Sequence, residues 1–132
     1  MRDPVVGAAL SDADRAVARA GDISDGNGIP VRMLDIPLDI FDRAYNRVAN
    51  STLWFLLHQL FDTPNQPRFG REFRRDWESY LAYNEAFADA LTGEALTRGE
   101  GGLRVLIQDY HLCLTPRLLR DRLGAQSGEV GI

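Results

Sequence analysis

The sequence predicts a helix-rich α/β fold with short parallel strands. Two long segments carry the residue spacing of amphipathic helices, and short β-rich runs lie before and after them. The last run, Leu103 to Ile107, is followed by Gln108-Asp109 and then by a helical pattern from about Leu112 to Leu123. A strand, a polar residue and a helix in this order form the unit of a parallel sheet that is covered by helices.

The composition excludes several broad functions. The net charge of −4 argues against a general nucleic-acid-binding protein, because phosphate neutralisation needs clustered positive charge. The longest unbroken apolar run, Leu53 to Leu57, is five residues long and too short to span a membrane. The first residues lack the pattern of a secretory signal, so we expect a cytoplasmic protein. The single cysteine, Cys113, excludes an internal disulfide, and we expect no metal site and no cofactor.

Residues 1–36 are predicted to form an irregular region that starts with a strand and a short helix. Val5 to Leu10 is a candidate strand. Ser11, with Asp14 three residues later, matches a capping box, in which each residue binds the backbone of the other. The helix that starts there is expected to end near Gly21.

A loop and a second strand complete this irregular region. Gly21 to Gly28 is polar and rich in glycine, which predicts a loop. Val31 to Ile36 alternates as a strand does, and Pro37 closes it.

The first long helix is predicted from about Asp39, with Pro64 and Pro67 ending it. Its apolar or small residues follow a 3-1-3-1 spacing, which draws one stripe along an α-helix. The stripe consists of Tyr45, Val48, Ala49, Thr52, Leu53, Leu56, Leu57 and Leu60.

The second long helix is predicted from residues that recur at alternating steps of four and three. These residues are Phe73, Trp77, Tyr80, Asn84, Phe87 and Leu91, with Gly93 as the stop. The charged residues between them are interpreted as a solvated face, formed by Arg71, Glu72, Arg74, Arg75, Asp76 and Glu78.

Asp109 is the candidate functional residue of the last unit. Ligands bind outside the carboxyl ends of the strands in parallel sheets, so a working carboxylate is expected here. A carboxylate in this position equally suits the capping of the next helix, and the residues alone favour neither interpretation. The helix that follows is predicted to end at Gly124.

The two histidines and the single cysteine are interpreted as structural residues. His58 and His111 are each predicted to be hydrogen-bonded structural residues. Cys113 lies between two leucines and is predicted to be a buried small hydrophobic residue.

Three segments together carry a family resemblance. Residues 45–54 read YNRVANSTLW, residues 77–88 read WESYLAYNEAFA, and residues 108–112 read QDYHL. In this order and at these intervals they resemble the YN-x-x-SN-x-x-LW, W-x-x-Y-x-x-x-N-x-x-F-A and HDYHL motifs of the trehalose-6-phosphate synthase family of glycosyltransferases. The match runs from about Leu34 to Leu123, with Gln108 in place of a histidine and Ala49 in place of a serine.

The resemblance implies a fold and a reaction. It implies that residues 1–132 are a single partial domain, an incomplete Rossmann-like N-terminal half of GT-B type, without the donor-binding half. The family transfers glucose from UDP-glucose to glucose 6-phosphate with retention of configuration, and it needs no metal. We therefore expect part of such an enzyme, inactive as this chain alone, with both sugars as partners and a possible homo-oligomer in the full-length enzyme. No nucleic-acid or membrane partner is expected.

The resemblance also implies roles for three residues, and it supplies no complete catalytic set. Tyr45 resembles the tyrosine that contacts the acceptor phosphate, and Trp54 resembles the tryptophan that selects the acceptor anomer. Asp109 resembles the aspartate that accepts hydrogen bonds from acceptor hydroxyls. A phenol, an indole face and a carboxylate suit these three roles chemically.

The spacing of Tyr45 and Trp54 poses a geometric problem. They are nine positions apart, which places them on opposite sides of an unbroken α-helix at about 100° per residue. If both line one pocket, the helix must bend or break between them, and Asn50-Ser51-Thr52 is the natural place. Otherwise, Tyr45 packs in the apolar stripe while Trp54 covers a neighbouring element.

Three alternatives to a synthase fragment stay open. The chain could be a non-catalytic module that binds a sugar phosphate or regulates the enzyme. It could belong to a glucosylglycerol-phosphate synthase, since those enzymes share similar motifs. It could also be the product of a decaying reading frame that does not fold stably.

Overall fold

The computed structural model describes residues 4–21, 23–24, 27–61, 66–98 and 104–127. The chain divides into two compact units, Met1–Pro37 and Leu38–Ile132. The first unit contains the β-sheet, and the helices of the second unit carry the candidate site. The predicted helix-rich α/β class with short parallel strands is confirmed.

The first unit is a βαβ arrangement with one added strand. Strand β1 (Val5–Ala8) pairs in parallel with strand β3 (Pro30–Leu34), and strand β2 (Ile23–Ser24) pairs antiparallel to the other side of β3. Helix α1 (Asp12–Ala20) lies in the connection between β1 and β3 and packs against β3. The predicted strands and short helix are therefore confirmed, whereas the predicted loop contains β2.

The start and end of α1 follow from its sequence. The Ser11 hydroxyl accepts from the Asp14 amide at 3.1 Å, and the Asp14 carboxylate accepts from the Ser11 amide at 2.9 Å. This is the predicted capping box, and the pKa of Asp14 is lowered chiefly by its hydrogen bond from the Ser11 side chain. Gly21 ends the helix with a φ of 112°, which residues with a Cβ rarely adopt.

The second unit begins with one continuous but irregular helical segment. It consists of α2 (Leu38–Phe41), a π-helix (Asp42–Leu53) and α3 (Trp54–Leu57). The apolar stripe predicted on an α-helix is correct at Val48 and Ala49, which are fully buried. It is wrong at Leu56 and Leu57, which are exposed because a π-helix turns through a smaller angle per residue than an α-helix. It is also wrong at Leu60, which is exposed and follows the end of α3.

The segment ends before the predicted prolines. Gln59 adopts a left-handed conformation with a φ of 55°. The Gln59 amide donates to the Leu56 carbonyl at 3.2 Å, and the Leu60 amide donates to the Phe55 carbonyl at 3.0 Å. These two bonds form a Schellman motif, which stops the helix locally, without a proline. Pro64 lies outside the described residues.

Helix α4 (Arg71–Arg98) is the long central helix of this unit, and it packs against α2, the π-helix and α5. The predicted core residues Tyr80, Asn84 and Phe87 are buried. Gly93 was predicted to end the helix, and this is wrong because α4 continues to Arg98. A helix interior tolerates glycine at a cost of about 1 kcal/mol.

The charged face of α4 contains one exception to the predicted solvation. Asp76 is buried, and its carboxylate lies 3.0 Å from the guanidinium of Arg43 on the π-helix. Its burial corrects the prediction of a solvated residue, since the ion pair offsets the loss of water.

The strand–helix unit predicted near the end of the chain has a different structure. No strand forms over residues 104–108 of the described chain, and Leu106 is 98% exposed. A β-rich run becomes a strand only when a neighbour supplies ladder hydrogen bonds. Leu103 lies outside the described residues.

Two short elements follow this run. A 3₁₀ turn covers Tyr110–Leu112, and helix α5 covers Thr115–Ser127. Thus α5 starts later than predicted and passes Gly124. Cys113, predicted to be buried, is exposed because it lies between these two elements. No helix in the described part of the chain is long and apolar enough to cross a membrane.

Candidate functional site

Asp109 begins the 3₁₀ turn in an unusual backbone conformation. Its φ is 77° and its ψ is 160°, a region that residues other than glycine rarely adopt and that often marks functional sites. Its Oδ1 accepts from the Tyr110 amide at 2.7 Å, while its Oδ2 lies 3.4 Å from Nδ1 of His111. The side chain is 44% exposed. The carboxylate therefore caps the turn with one oxygen and is still open to solvent.

His111 lies at the centre of the candidate site. Its ring stacks on Tyr45 with centroids 4.2 Å apart and on Tyr110 with centroids 4.5 Å apart. Its Nε2 lies 2.9 Å from Oδ1 of Asn50, and its side chain is only 11% exposed. Burial lowers the pKa of His111, and the nearby Asp109 opposes this effect. The imidazole is thus hydrogen-bonded, as predicted.

Tyr45 and Asp109 meet through His111. Tyr45 is half-buried, and its ring stacks on Phe41 at 5.0 Å as well as on His111. The carboxylate of Asp109 approaches the same imidazole at Nδ1. Two of the three residues singled out in the sequence, 64 positions apart (109 − 45), therefore contact one histidine.

The π-helix explains how Trp54 relates to Tyr45. A π-helix has i→i+5 bonding and about 4.4 residues per turn, so nine residues make about two turns. Tyr45 and Trp54 therefore project from the same side of the helix, and the Trp54 amide donates to the Ala49 carbonyl, five residues back. The helix continues between them as a π-helix.

Two side chains of the segment Asn50-Ser51-Thr52, where a bend or break was expected, form hydrogen bonds that match this wider turn. The Ser51 hydroxyl donates to the Asn46 carbonyl at 2.8 Å, and the Thr52 hydroxyl donates to the Arg47 carbonyl at 3.2 Å. Both bonds reach back five residues. Ser51 and Thr52 therefore bond to backbone carbonyls, as expected, whereas the Asn50 side chain bonds to Tyr110 and His111 of the 3₁₀ turn.

Trp54 itself lies beyond the cluster around His111. It is half-buried and stacks on His58 with centroids 4.5 Å apart. His58 is hydrogen-bonded as predicted, since its Nδ1 lies 2.7 Å from the Trp54 carbonyl. Among the described residues, no ring contact or hydrogen bond joins Trp54 to Tyr45 or Asp109. The structure brings Tyr45 and Asp109 together and leaves Trp54 further along the same face.

Asn50 is a site residue that the sequence reasoning missed. Its Oδ1 lies 2.9 Å from Nε2 of His111 and accepts from the Tyr110 hydroxyl at 3.1 Å. It therefore joins the π-helix to the 3₁₀ turn. The signal that could have identified it is its position inside the Tyr45–Trp54 motif, in which the matching position is also an asparagine.

Arg47 of the π-helix forms ion pairs with two carboxylates. The Arg47 guanidinium lies 3.1 Å from the Asp42 carboxylate and 4.0 Å from that of Asp76. Hydrogen bonds from Asn46 and then from Arg47 lower the pKa of Asp42. Within the described ranges, no three His, Cys, Asp or Glu side chains gather as metal ligands.

Comparison with known proteins gives a consistent result. Residues 14–131 match glycosyltransferase family 20. The UDP-forming alpha,alpha-trehalose-phosphate synthase of Schizosaccharomyces pombe is 35% identical over 106 residues, which are 80% of this chain and 18% of that protein. For the UDP-forming alpha,alpha-trehalose-phosphate synthase 2 of Aspergillus niger, the identity is 39% over 99 residues, 75% of this chain and 18% of that protein.

A yeast relative covers more of the chain. The 56 kDa subunit of the UDP-forming alpha,alpha-trehalose-phosphate synthase of Kluyveromyces lactis is 32% identical over 123 residues. These are 91% of this chain and 22% of that protein. The chain thus spans about a fifth of the length of these relatives.

Proposed function

Because this chain belongs to glycosyltransferase family 20, we propose that it forms part of the acceptor side of a UDP-forming trehalose-phosphate synthase. The acceptor is glucose 6-phosphate, and UDP-glucose is the donor of the complete enzyme. The observation that carries this proposal is the convergence of Tyr45 and Asp109 on His111. The β1–α1–β3 unit, with its parallel strands, supports a Rossmann-like half of GT-B type.

Each proposed contact follows from the chemistry of its side chain. The Tyr45 hydroxyl donates to a phosphate oxygen of the acceptor. The carboxylate of Asp109, whose side chain is 44% exposed, accepts from ring hydroxyls, which a carboxylate does strongly because it is charged. The indole of Trp54, on the same helix face as Tyr45, covers the apolar side of the pyranose and selects its anomer.

The proposal concerns acceptor binding rather than turnover by the chain alone. Retaining transfer depends on groups that stabilise the departing phosphate of the donor. The chain spans about a fifth of the length of the relatives, and the roles proposed for Tyr45, Trp54 and Asp109 all concern the acceptor. We therefore expect no detectable trehalose 6-phosphate when the purified chain is mixed with UDP-glucose and glucose 6-phosphate.

Isothermal titration of the purified chain with glucose 6-phosphate tests this proposal. Binding is expected for glucose 6-phosphate, and weaker binding is expected for glucose and for glycerol 3-phosphate, which each lack part of the ligand. Tyr45→Phe and Asp109→Asn should each weaken binding about tenfold or more, as the loss of hydrogen bonds to charged groups does. Stronger binding of glycerol 3-phosphate would instead favour a glucosylglycerol-phosphate synthase.

The matched control is Asp121→Asn. Asp121 is an exposed carboxylate on α5, and it forms an ion pair with Arg117 on the same helix. Its substitution should leave the dissociation constant unchanged. Wild-type chain that melts cooperatively but binds no glucose 6-phosphate would refute the proposal, as would Tyr45→Phe and Asp109→Asn variants that bind as well as Asp121→Asn.

A further inference from the structure

Helix α4 directs two fully buried polar side chains at the turn that carries Asp109 and His111. These side chains are Tyr80 and Asn84, one helical turn apart. They belong to the core of the helical unit and not to the surface that a ligand would touch. Their polar atoms nevertheless form hydrogen bonds with the backbone carbonyls and amides of residues 110–115.

Asn84 ties both ends of this segment to α4. Its Oδ1 accepts from the amides of Leu114 at 3.2 Å and Thr115 at 3.1 Å, and from the Thr115 hydroxyl at 2.9 Å. It thereby caps the amino end of α5 from another helix, where free amide groups need acceptors. Its Nδ2 donates to the His111 carbonyl at 3.2 Å and to the Tyr80 carbonyl at 2.9 Å.

Tyr80 ties the middle of the segment. Its hydroxyl donates to the Tyr110 carbonyl at 2.6 Å and accepts from the Cys113 amide at 3.3 Å. Burial raises the pKa of the Tyr80 phenol far above its ordinary value, so the hydroxyl keeps its proton at any physiological pH. The donor to Tyr110 is therefore permanent.

We propose that Tyr80 and Asn84 are positioning residues of the acceptor site, which hold the carboxylate of Asp109 and the ring of His111 in place. This inference rests on the proposed function. The two tethers attach to the carbonyls of Tyr110 and His111, the residues that directly follow Asp109. A backbone with a φ of 77° at Asp109 persists only when its surroundings fix it, and these tethers do so.

The conservative variant Tyr80→Phe tests the proposal, because it removes one hydroxyl and keeps the ring that packs in the core. Its matched control is Thr92→Val, which removes a buried hydroxyl of the same helix that donates to the Ala88 carbonyl. Tyr80→Phe should weaken glucose 6-phosphate binding about tenfold, whereas Thr92→Val should leave it unchanged.

A double-mutant cycle separates positioning from general stability. If Tyr80 acts through Asp109, the Tyr80→Phe substitution causes little further loss of binding in the Asp109→Asn background. A merely structural role predicts that the two losses multiply. Multiplicative losses, or equal effects of Tyr80→Phe and Thr92→Val, would overturn the proposal.

The titration of His111, followed by NMR in the ligand-free chain, keeps this test apart from the proposed function. Tyr80→Phe should raise the pKa of His111 towards its ordinary value of 6.5, because a loosened turn exposes the ring to water. Should the wild-type chain not bind glucose 6-phosphate, the proposed function fails, while this titration still shows whether the turn is held by α4. An unchanged His111 titration in Tyr80→Phe would refute the positioning role.

Discussion

The two long helical segments of the second unit differ in regularity and in what they contribute. Helix α4 (Arg71–Arg98) is a regular α-helix whose buried side chains follow the α-helical period. The segment from Asp42 to Leu53 is a π-helix whose burial departs from that period after Ala49. The irregular segment supplies Tyr45 and Asn50 to the candidate site. The regular helix supplies buried polar side chains, such as Tyr80, that bond to the backbone of the site.

The two segments therefore differ in role. The π-helix contributes side chains to the candidate site, and α4 holds the turn that carries Asp109 and His111. A π-helix replaces i→i+4 bonds by longer ones, and such segments are found frequently at functional sites. The widened turn places Tyr45 and Trp54 on one face, which a straight α-helix with the same sequence spacing would not do. A regular neighbour then fixes the less regular element through side-chain contacts.

The largest expected effect comes from breaking a buried ion pair between the two segments. Asp76 of α4 is buried and pairs with Arg43 of the π-helix at 3.0 Å. Asp76→Ala leaves the Arg43 guanidinium, 18% exposed, without this partner. The free energy of unfolding should fall by about 2 kcal/mol, below the value for a fully buried pair because some solvent reaches both groups. Urea denaturation measures it.

The matched control for this substitution is Glu72→Ala on the same helix. Glu72 lies 3.8 Å from Arg47, but its side chain is 85% exposed. Such a surface pair contributes about 0.5 kcal/mol or less. If the two substitutions cost the same, the Asp76–Arg43 ion pair does not stabilise the packing of α4 against the π-helix.

The regular segment is also the one that the sequence predicted well. Tyr80, Asn84 and Phe87 were assigned to the core from their spacing alone, because every residue of an α-helix turns through the same angle. The same rule placed Leu56 and Leu57 in the core, and both are exposed. The residue spacing did not reveal the π-helix, since the side-chain bonds that match it, from Ser51 and Thr52, depend on the folded geometry.

A smaller effect, of opposite sign, tests how regular α4 is. Gly93 lies inside the helix, and a Cβ added there would meet no atom within 4 Å apart from the backbone of its own helix. Gly93→Ala should therefore raise the free energy of unfolding by about 0.5–1 kcal/mol, because alanine loses less conformational entropy on folding. Unchanged or lower stability in urea denaturation would show that α4 is not a continuous helix at this position.

The candidate site was predictable in part for a different reason. Asp109 was found through a strand-to-helix pattern, yet no strand forms over residues 104–108 of the described chain. The motif was nevertheless informative, because the carboxylate at the start of the turn is set by local backbone bonds such as that to Tyr110. The role of His111 as the contact between Tyr45 and Asp109 was missed, since pairs distant in sequence are fixed only by packing.

The smallest expected effect is a pH dependence of stability due to His111, which both the π-helix and α4 contact. Burial lowers the pKa of His111 below 6.5, and the nearby Asp109 partly cancels that effect. The unfolded chain therefore binds a proton at this residue more readily than the folded chain does. The contribution of His111 to the free energy of unfolding is fully present above pH 6.5. It declines as the pH falls from 6.5 towards the pKa of His111 in the folded chain, and below that pKa it is constant.

Urea denaturation between about pH 7.5 and pH 5.5 measures this slope, and His111→Gln should reduce it. The carboxylates of Asp14, Asp35 and Asp42 do not interfere, because their pKa values are lowered from 3.8 and their contributions are lost at a more acidic pH. A slope that persists in His111→Gln would mean that this imidazole is solvated in the folded chain. The contact between the π-helix and the turn would then be looser than the stacking of Tyr45 on His111 indicates.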